Sequence, residues 1–406
     1  MIARCTEVVG PACPQGVISS LRIAAREGSR HDGRPSGGKT VEREPVLLLG
    51  CGGVGGVLAT HLMRAGWPVD IVAHNEAVAD AICQRGLELR EGRRAIRVRG
   101  TARVSLPPAR SRYRLIFLAM QPPQVEEAVR STRSWLAADG AFVCFQNGLC
   151  ELRVAEWVGP RQVIGAIVAW GASMVQPGIY ERTSEGGFTI GTPDGTPHPL
   201  LDRLEEMLRV VGPVQRTHNL LGARWSKLAI NCAISSLGTI GGERLGALLR
   251  YRFARRLGLE VMTEAVEVTR AAGVRLEKVA GTIDLDWVTL SPSERLQSGS
   301  PSLVAKHALL LAVGARFRRL RSSMLAAIER GRPPAVDYLN GEVVRFGERH
   351  GVPTPLNRVV VSTVWRIARH EVAPSVALLR ALYEATECLR SPAAPPGQST
   401  DTLPLS

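Results

Sequence analysis

The chain has 406 residues, 45% of them apolar and 22% charged, with a formal net charge of +14. That length exceeds one ordinary core and implies two domains of roughly 150 to 200 residues each; no uninterrupted apolar run is long enough to span a bilayer. The basic balance alone would admit nucleic acid, but nearly all the cations are arginines interleaved with acids and aromatics make up only 5%, so neither a nucleic-acid nor a membrane partner is expected.

In chain order, residues 1–44 are rich in Gly, Ser, Pro and Arg and read as a flexible N-terminal extension without the charged-then-apolar order of a signal peptide. From there, short apolar runs alternate with helical patterns, as a parallel sheet covered by helices requires. "PVLLLG" (45–50) reads as a strand, 53–65 as a helix, "WPVDIVA" (67–73) as a strand and "RLIFLAM" (114–120) as another. A helix over 123–137 leads to the strand "AFVCFQNG" (141–148), and 163–191 holds two or three more strands. From Pro199 onward, apolar residues recur at three- and four-residue spacing, which predicts helices. The expected organisation is an α/β Rossmann-type N-terminal domain over 45–205, followed by an all-α C-terminal domain over 206–390 and a flexible tail, 391–406. Residues 301–321 read as an amphipathic helix with a basic end, packed on the core with its polar face in water. An apolar stripe of the helical domain would suit a homodimer.

The eight cysteines (Cys5, Cys13, Cys51, Cys83, Cys144, Cys150, Cys232 and Cys388) form no CxxC pair and no cluster with metal spacing. They are expected to be buried, reduced thiols of a cytoplasmic protein with no metal site.

Chemistry enters with "LLLGCGGVGG". Gly50, Gly52 and Gly55 form G-x-G-x-x-G directly after a strand and at the opening of a helix. In that context the first glycine makes the turn, the second lets backbone approach a pyrophosphate and the third brings helix and strand together. Gly50, Cys51, Gly52, Gly53, Val54 and Gly55 are therefore candidate dinucleotide ligands, with the phosphates at the helix N-terminus. The second strand ends at Ala73, His74 and Asn75 without an acid at its tip, since Asp70 comes too early and Glu76 too late. His74 and Asn75 tolerate a 2′-phosphate, so NADPH/NADP+ is expected over NAD; the alternative is that His74 is a loop residue and an arginine elsewhere does this work.

Lysine occurs at only four positions, Lys39, Lys227, Lys278 and Lys306. Lys227, Asn231 and Ser235 are spaced four apart on one face of an apolar helix and can converge on a small polar ligand. A lysine there either loses proton affinity, as a general acid near neutral pH requires, or extends to solvent with Asn231 as a packing amide.

At these residues the chain resembles the ketopantoate reductases (2-dehydropantoate 2-reductases). The likeness runs from Val46 to Asn357 through "LGCGGVG", "FQNGL", "PGIYERTSEGGFTIG", "RWSKLAINCAIS", "RSSM", "GRPPAVDYLNGEVV" and "HGVPTPLN". It implies NADPH-dependent reduction of a 2-oxo acid to the (R)-2-hydroxy acid in a cleft between the two domains. By position it makes Lys227 the catalytic lysine, Asn147 a cofactor- and substrate-holding amide, Asn231 a substrate ligand and Ser323 the carboxylate-binding serine; Asp337 belongs to the same segment in a structural capacity. Three positions depart from the pattern. Gln121 replaces a lysine at the cofactor, Ser235 a second substrate asparagine, and Ala335 the glutamate that accepts the substrate's hydroxyl. The last change favours a 2-oxo acid or ketone with an apolar group in that place. These replacements also motivate an alternative, a non-catalytic NADP(H)-binding protein; a β-hydroxyacid or opine dehydrogenase shares only the Rossmann half.

Overall fold

The structure is a computed structural model and describes residues 43–107, 112–277, 284–296 and 299–387. The expected extension up to residue 42 and the tail 391–406 lie outside the described residues. Arg43 and Glu44, placed in the extension by the sequence, belong to the folded body: Arg43 stacks over Trp67 at 4.4 Å and Glu44 pairs with Arg203.

The first half contains β1 (Val46–Leu49), α1 (Gly53–Arg64), β2 (Val69–Val72), α2 (Glu76–Arg85), β3 (Leu87–Glu91), β4 (Arg94–Val98), β5 (Ala102–Arg103), β6 (Tyr113–Leu118), α3 (Val125–Thr132), β7 (Leu136–Cys144), α4 (Cys150–Val158), β8 (Val163–Val168), β9 (Ala172–Gln176), β10 (Ile179–Arg182), β11 (Phe188–Gly191), α5 (Leu201–Arg209) and β12 (Val214–Arg216). Six strands run parallel in the order β5-β2-β1-β6-β7-β8, and β11 and β12 extend the sheet, β11 antiparallel to β8. This is the 3-2-1-4-5-6 Rossmann order, whose reversal between β1 and β6 opens a crevice at the strands' C-terminal ends. β1 and β6 are central and covered on both faces, which is why "VLLL" and "LIFL" carry no polar alternation.

A second sheet, β4-β3-β10-β9, packs on the outer side of α1. Its Tyr180 is fully buried, and its hydroxyl donates to the Cys51 carbonyl at 3.1 Å. The ring lies so close to α1 that a Cβ on Gly56 would meet it at 2.2 Å.

Several expectations are corrected here. The segment 163–191 holds four strands, not two or three, and β12 moves the end of the sheet half past 205 to 216. The helix expected over 123–137 is confined to Val125–Thr132, because the prolines at 122 and 123 start it as a 3₁₀ turn and the sheet reclaims the chain at Leu136.

The second half contains α6 (Leu220–Gly241), α7 (Leu245–Leu248), α8 (Arg252–Ala271), α9 (Leu285–Val288), α10 (Pro292–Leu296), α11 (Pro301–Arg316), α12 (Ser323–Ile328), α13 (Asn340–His350), α14 (Pro355–Ala368) and α15 (Val376–Ala385). The core helix α6 packs against α8, α12, α14 and α15. Behind it, buried Asn340 accepts from Ser236 (2.7 Å) and donates to Asn357 (2.9 Å), while Glu264 takes the backbone N–H groups of Leu356 and Asn357 (2.9 Å each). A buried polar network satisfied in this way admits one arrangement of its helices. No helix among the described residues is long and apolar enough to cross a membrane.

α11 packs on the core through Leu303 and Leu310 and exposes Arg316 at its basic end, as expected, but its buried face is not wholly apolar. Lys306 and His307 are buried, whereas Val304 and Leu311 are exposed. The reason is local: the Lys306 ammonium meets the Glu294 carboxylate (2.5 Å) and the Thr289 carbonyl (2.8 Å), so its charge is paired inside rather than solvated. The described cysteines are free, and Cys83, unlike Cys51, Cys144, Cys150 and Cys232, is exposed.

Candidate active site

The C-terminal ends of β1, β6, β7 and β8 lie side by side and deliver Gly50, Met120, Gln146 and Val168 to one rim. Gly50 turns the chain at φ +90° and sits so near the end of β6 that a Cβ would be 2.9 Å from the Met120 nitrogen. A Cβ on Gly55 would strike the Gly50 carbonyl at 2.0 Å, whereas one on Gly52 would meet nothing within 4 Å. The loop is thus closed on its protein side and open on the other. α1 starts at Gly53 with Gly52 as its N-cap and no capping side chain, so its first-turn N–H groups are available to an anion. These features fit a dinucleotide pyrophosphate. Cys51 contributes backbone only, since its thiol is buried on Tyr180 and burial pushes it up to about 12.

His74 and Asn75 are exposed at the tip of β2. Asn75 has a structural task the sequence reading did not assign: its side chain caps α2 by accepting from the Val78 N–H at 3.0 Å. Gln121 caps the turn after β6 together with Gln124, whose amide lies 3.4 Å from His74, so the two loops form one wall. Asp70 is occupied by the Tyr113 hydroxyl at 2.7 Å. Arg103, missed in the sequence, ends β5 directly beside Val72 and is exposed.

Lys227 projects from α6 onto this rim, its ammonium donating to the Val168 carbonyl at 2.6 Å. Burial, with repulsion from Arg224 added and attraction to Glu151 opposing, brings its pKa down to about 7. Along α6, only Leu221, Lys227, Ile230, Asn231, Ile234 and Ser235 escape full burial, so the three polar residues lie on the less buried face of the helix. Ser323 is exposed at the first turn of α12, which is docked there by its neighbour: Ser322 donates to the Ser235 carbonyl (3.0 Å) and lies 2.8 Å from the Thr239 hydroxyl. Asn147 is exposed between the two halves. Gly148 beside it, at φ +92°, approaches so closely that a Cβ would be 2.3 Å from the Tyr338 carbonyl, in the turn that follows half-buried Ala335. Asp337 accepts from the Trp365 indole at 3.0 Å, as its structural reading expects. Among the described residues no cluster of His, Cys, Asp or Glu could hold a metal ion.

The ketopantoate reductase PanE/ApbA family model matches residues 46–195, and the ketopantoate reductase PanE/ApbA C-terminal model matches 219–368, together more than half of the chain. The chain belongs to the ketopantoate reductase family. It is 24% identical over 313 residues to the 2-dehydropantoate 2-reductase of Pyrococcus horikoshii, covering 77% of this chain and 93% of that protein. It is 26% identical over 319 residues to the 2-dehydropantoate 2-reductase of Mycobacterium tuberculosis H37Rv, covering 78% and 95%. Among solved structures, a PanE/ApbA family ketopantoate reductase from Ralstonia eutropha JMP134 is similar with a TM-score of 0.67 at 25% identity, covering 80% of this chain and 99% of that one. A ternary structure of D-mandelate dehydrogenase with NADH and anilino(oxo)acetate shares the fold at TM-score 0.67 and 17% identity, covering 80% and 98%.

In this ketopantoate reductase fold the two family models meet the chain on either side of residues 196–218, which agrees with the passage from β12 into α6. Besides Arg103, sequence reasoning missed Arg224, Glu151 and Gln146. Arg224 left one trace, as a second cation in an otherwise apolar helix; Glu151 and Gln146 left none, because their partners are remote in sequence.

Proposed function

We propose that the chain reduces the ketone of a small 2-oxo acid with NADPH, yielding the 2-hydroxy acid; the relatives it resembles are named 2-dehydropantoate 2-reductases. The observation that carries this reading is the Lys227 ammonium, held at the end of β8 on the rim that also bears the glycine loop, with its proton affinity lowered to near neutrality. When bound, the reduced nicotinamide supplies the hydride that the substrate's carbonyl carbon receives. Lys227 gives its proton to the carbonyl oxygen as negative charge develops there, and a donor with a pKa near the working pH does this at least cost. The Val168 carbonyl orients the ammonium. Asn147, Asn231, Ser235 and Ser323 are the polar groups that would hold the 2-oxo acid. Turnover of NADPH with a panel of 2-oxo acids tests the reading; a folded, NADPH-bound protein that turns over none of them overturns it.

A pH dependence follows. The proton donor is the ammonium, present below the Lys227 pKa and lost above it. The rate of reduction should therefore hold level below about pH 7 and fall by about tenfold per pH unit above it. A flat single-turnover profile from pH 6 to 9 would contradict this.

For cofactor choice we assign Arg103, with His74, to the 2′-phosphate, since the guanidinium ends the strand beside β2 and no acid stands at that tip. Arg103→Ala should raise KM for NADPH by about tenfold, the loss of one charge-assisted contact, and leave KM for NADH unchanged. Equal effects on both cofactors would remove Arg103 from this role.

A further inference from the structure

Arg224 stands three residues before Lys227 on α6 and is only 3% exposed. Its guanidinium reaches across from the helical half into the Rossmann half. There it donates to the carbonyls of Gln146 (2.7 Å) and Cys144 (3.0 Å) and pairs with the carboxylate of Glu151, itself 3% exposed on α4. Gln146 immediately precedes Asn147, and its side-chain amide donates to the carbonyls of Leu118 (2.8 Å) and Met120 (3.2 Å), the strand end against which Gly50 turns. One cation thus ties the end of β7, the start of α4 and, through Gln146, the end of β6 to the helix that carries Lys227.

We infer that Arg224 and Glu151 are positioning residues of the active site: a buried ion pair across the two halves that holds the Asn147 loop against α6 and places a compensated positive charge one helical turn from the Lys227 ammonium. The inference rests on the reading of Lys227 as proton donor. The pair has more than a structural consequence because the charged groups that bear on Lys227 are these two, Arg224 from its own helix and Glu151 from α4, while β8 presents only the Val168 carbonyl. Arg224 disfavours the ammonium more than Glu151 favours it. Burial raises the Glu151 carboxyl, and Arg224 opposes that shift. A buried pair is screened by salt less than a surface pair, so both members bear on the amine.

The test reads Lys227 directly. With four lysines in the chain, selective labelling of the ε-carbon gives a spectrum in which Lys227 is assigned by its loss in Lys227→Arg. Glu151→Gln is isosteric and leaves the guanidinium uncompensated, so the Lys227 titration midpoint should move down by on the order of one pH unit. Adding Arg224→Met removes both charges, and the midpoint of that double variant should rise above that of the unmodified chain. If Glu151→Gln does not fold, the double variant, which buries no lone charge, decides alone. A midpoint unmoved in a folded Glu151→Gln, or a double variant at or below the parent midpoint, overturns the inference. The titration needs no substrate, so its outcome stands apart from whether Lys227→Ala abolishes reduction.

Discussion

Lys227→Ala should lower the rate of 2-oxo acid reduction by roughly 10²- to 10⁴-fold, the usual contribution of a positioned general acid, with NADPH affinity and fold retained. Both halves of that expectation have a structural basis. The glycine loop, Gly50 to Gly55, follows β1, and the ammonium reaches the backbone carbonyl at the end of β8, with β6 and β7 between them. Removing the partly buried amine leaves Val168 without a donor but no unpaired charge, so the loss of stability should be small beside the loss of rate. Single-turnover oxidation of bound NADPH by excess 2-oxo acid measures the chemical step. An unchanged rate would exclude Lys227 as the donor, whereas a parent protein that binds NADPH but oxidises none of it would favour the alternative of a non-catalytic NADP(H)-binding protein.

The second large effect concerns Ala335. Ala335 is followed by the turn Val336–Tyr338, and Tyr338 abuts Gly148, so position 335 adjoins the Asn147 side of the cleft. By resemblance to ketopantoate reductases, a glutamate there accepts the substrate's hydroxyl. Its absence should cost a hydroxylated 2-oxo acid about 1.5–3 kcal/mol, or roughly ten- to a hundredfold in kcat/KM. Ala335→Glu should therefore raise kcat/KM for ketopantoate by that factor and lower it for a 2-oxo acid with only an apolar chain, because the new carboxylate would be desolvated without a donor. The ratio of the two kcat/KM values is the measurement. A ratio unchanged by the substitution would mean that position 335 does not face the substrate.

The sequence was most legible where function is local in the chain. G-x-G-x-x-G announced the cradle because a turn, a phosphate approach and a helix start all fall within six residues. The Lys227, Asn231 and Ser235 face was legible because helical periodicity maps sequence onto a surface. The resemblance supplied Ser323 and Asn147, which no period connects to Lys227. What escaped was everything that depends on pairing at a distance. Glu151 meets Arg224 across 73 positions, and Tyr180 meets Cys51 across 129. β3 and β4 were unread because "LELRE" and "RAIRV" are too charged to stand out as strands: β3 buries only Leu87 and Leu89, and β4 half-buries only Ile96 and Val98. In α11 the burial of Lys306 beside Leu303 and Leu310 was not legible, since that lysine looks solvated until Glu294 is seen beside it.

The stacking of Tyr180 on α1 has a consequence for variation. Gly56 has no room for even a methyl group while that ring stands there, and shortening the ring alone would leave a hollow beneath the turn at Cys51. The two sites can therefore drift only in concert, and a larger residue at 56 should be found only with a smaller one at 180. The backbone of the glycine turn is thus propped in part by a hairpin, β9 and β10, that lies outside the parallel sheet, where a search confined to the glycine signature would not look.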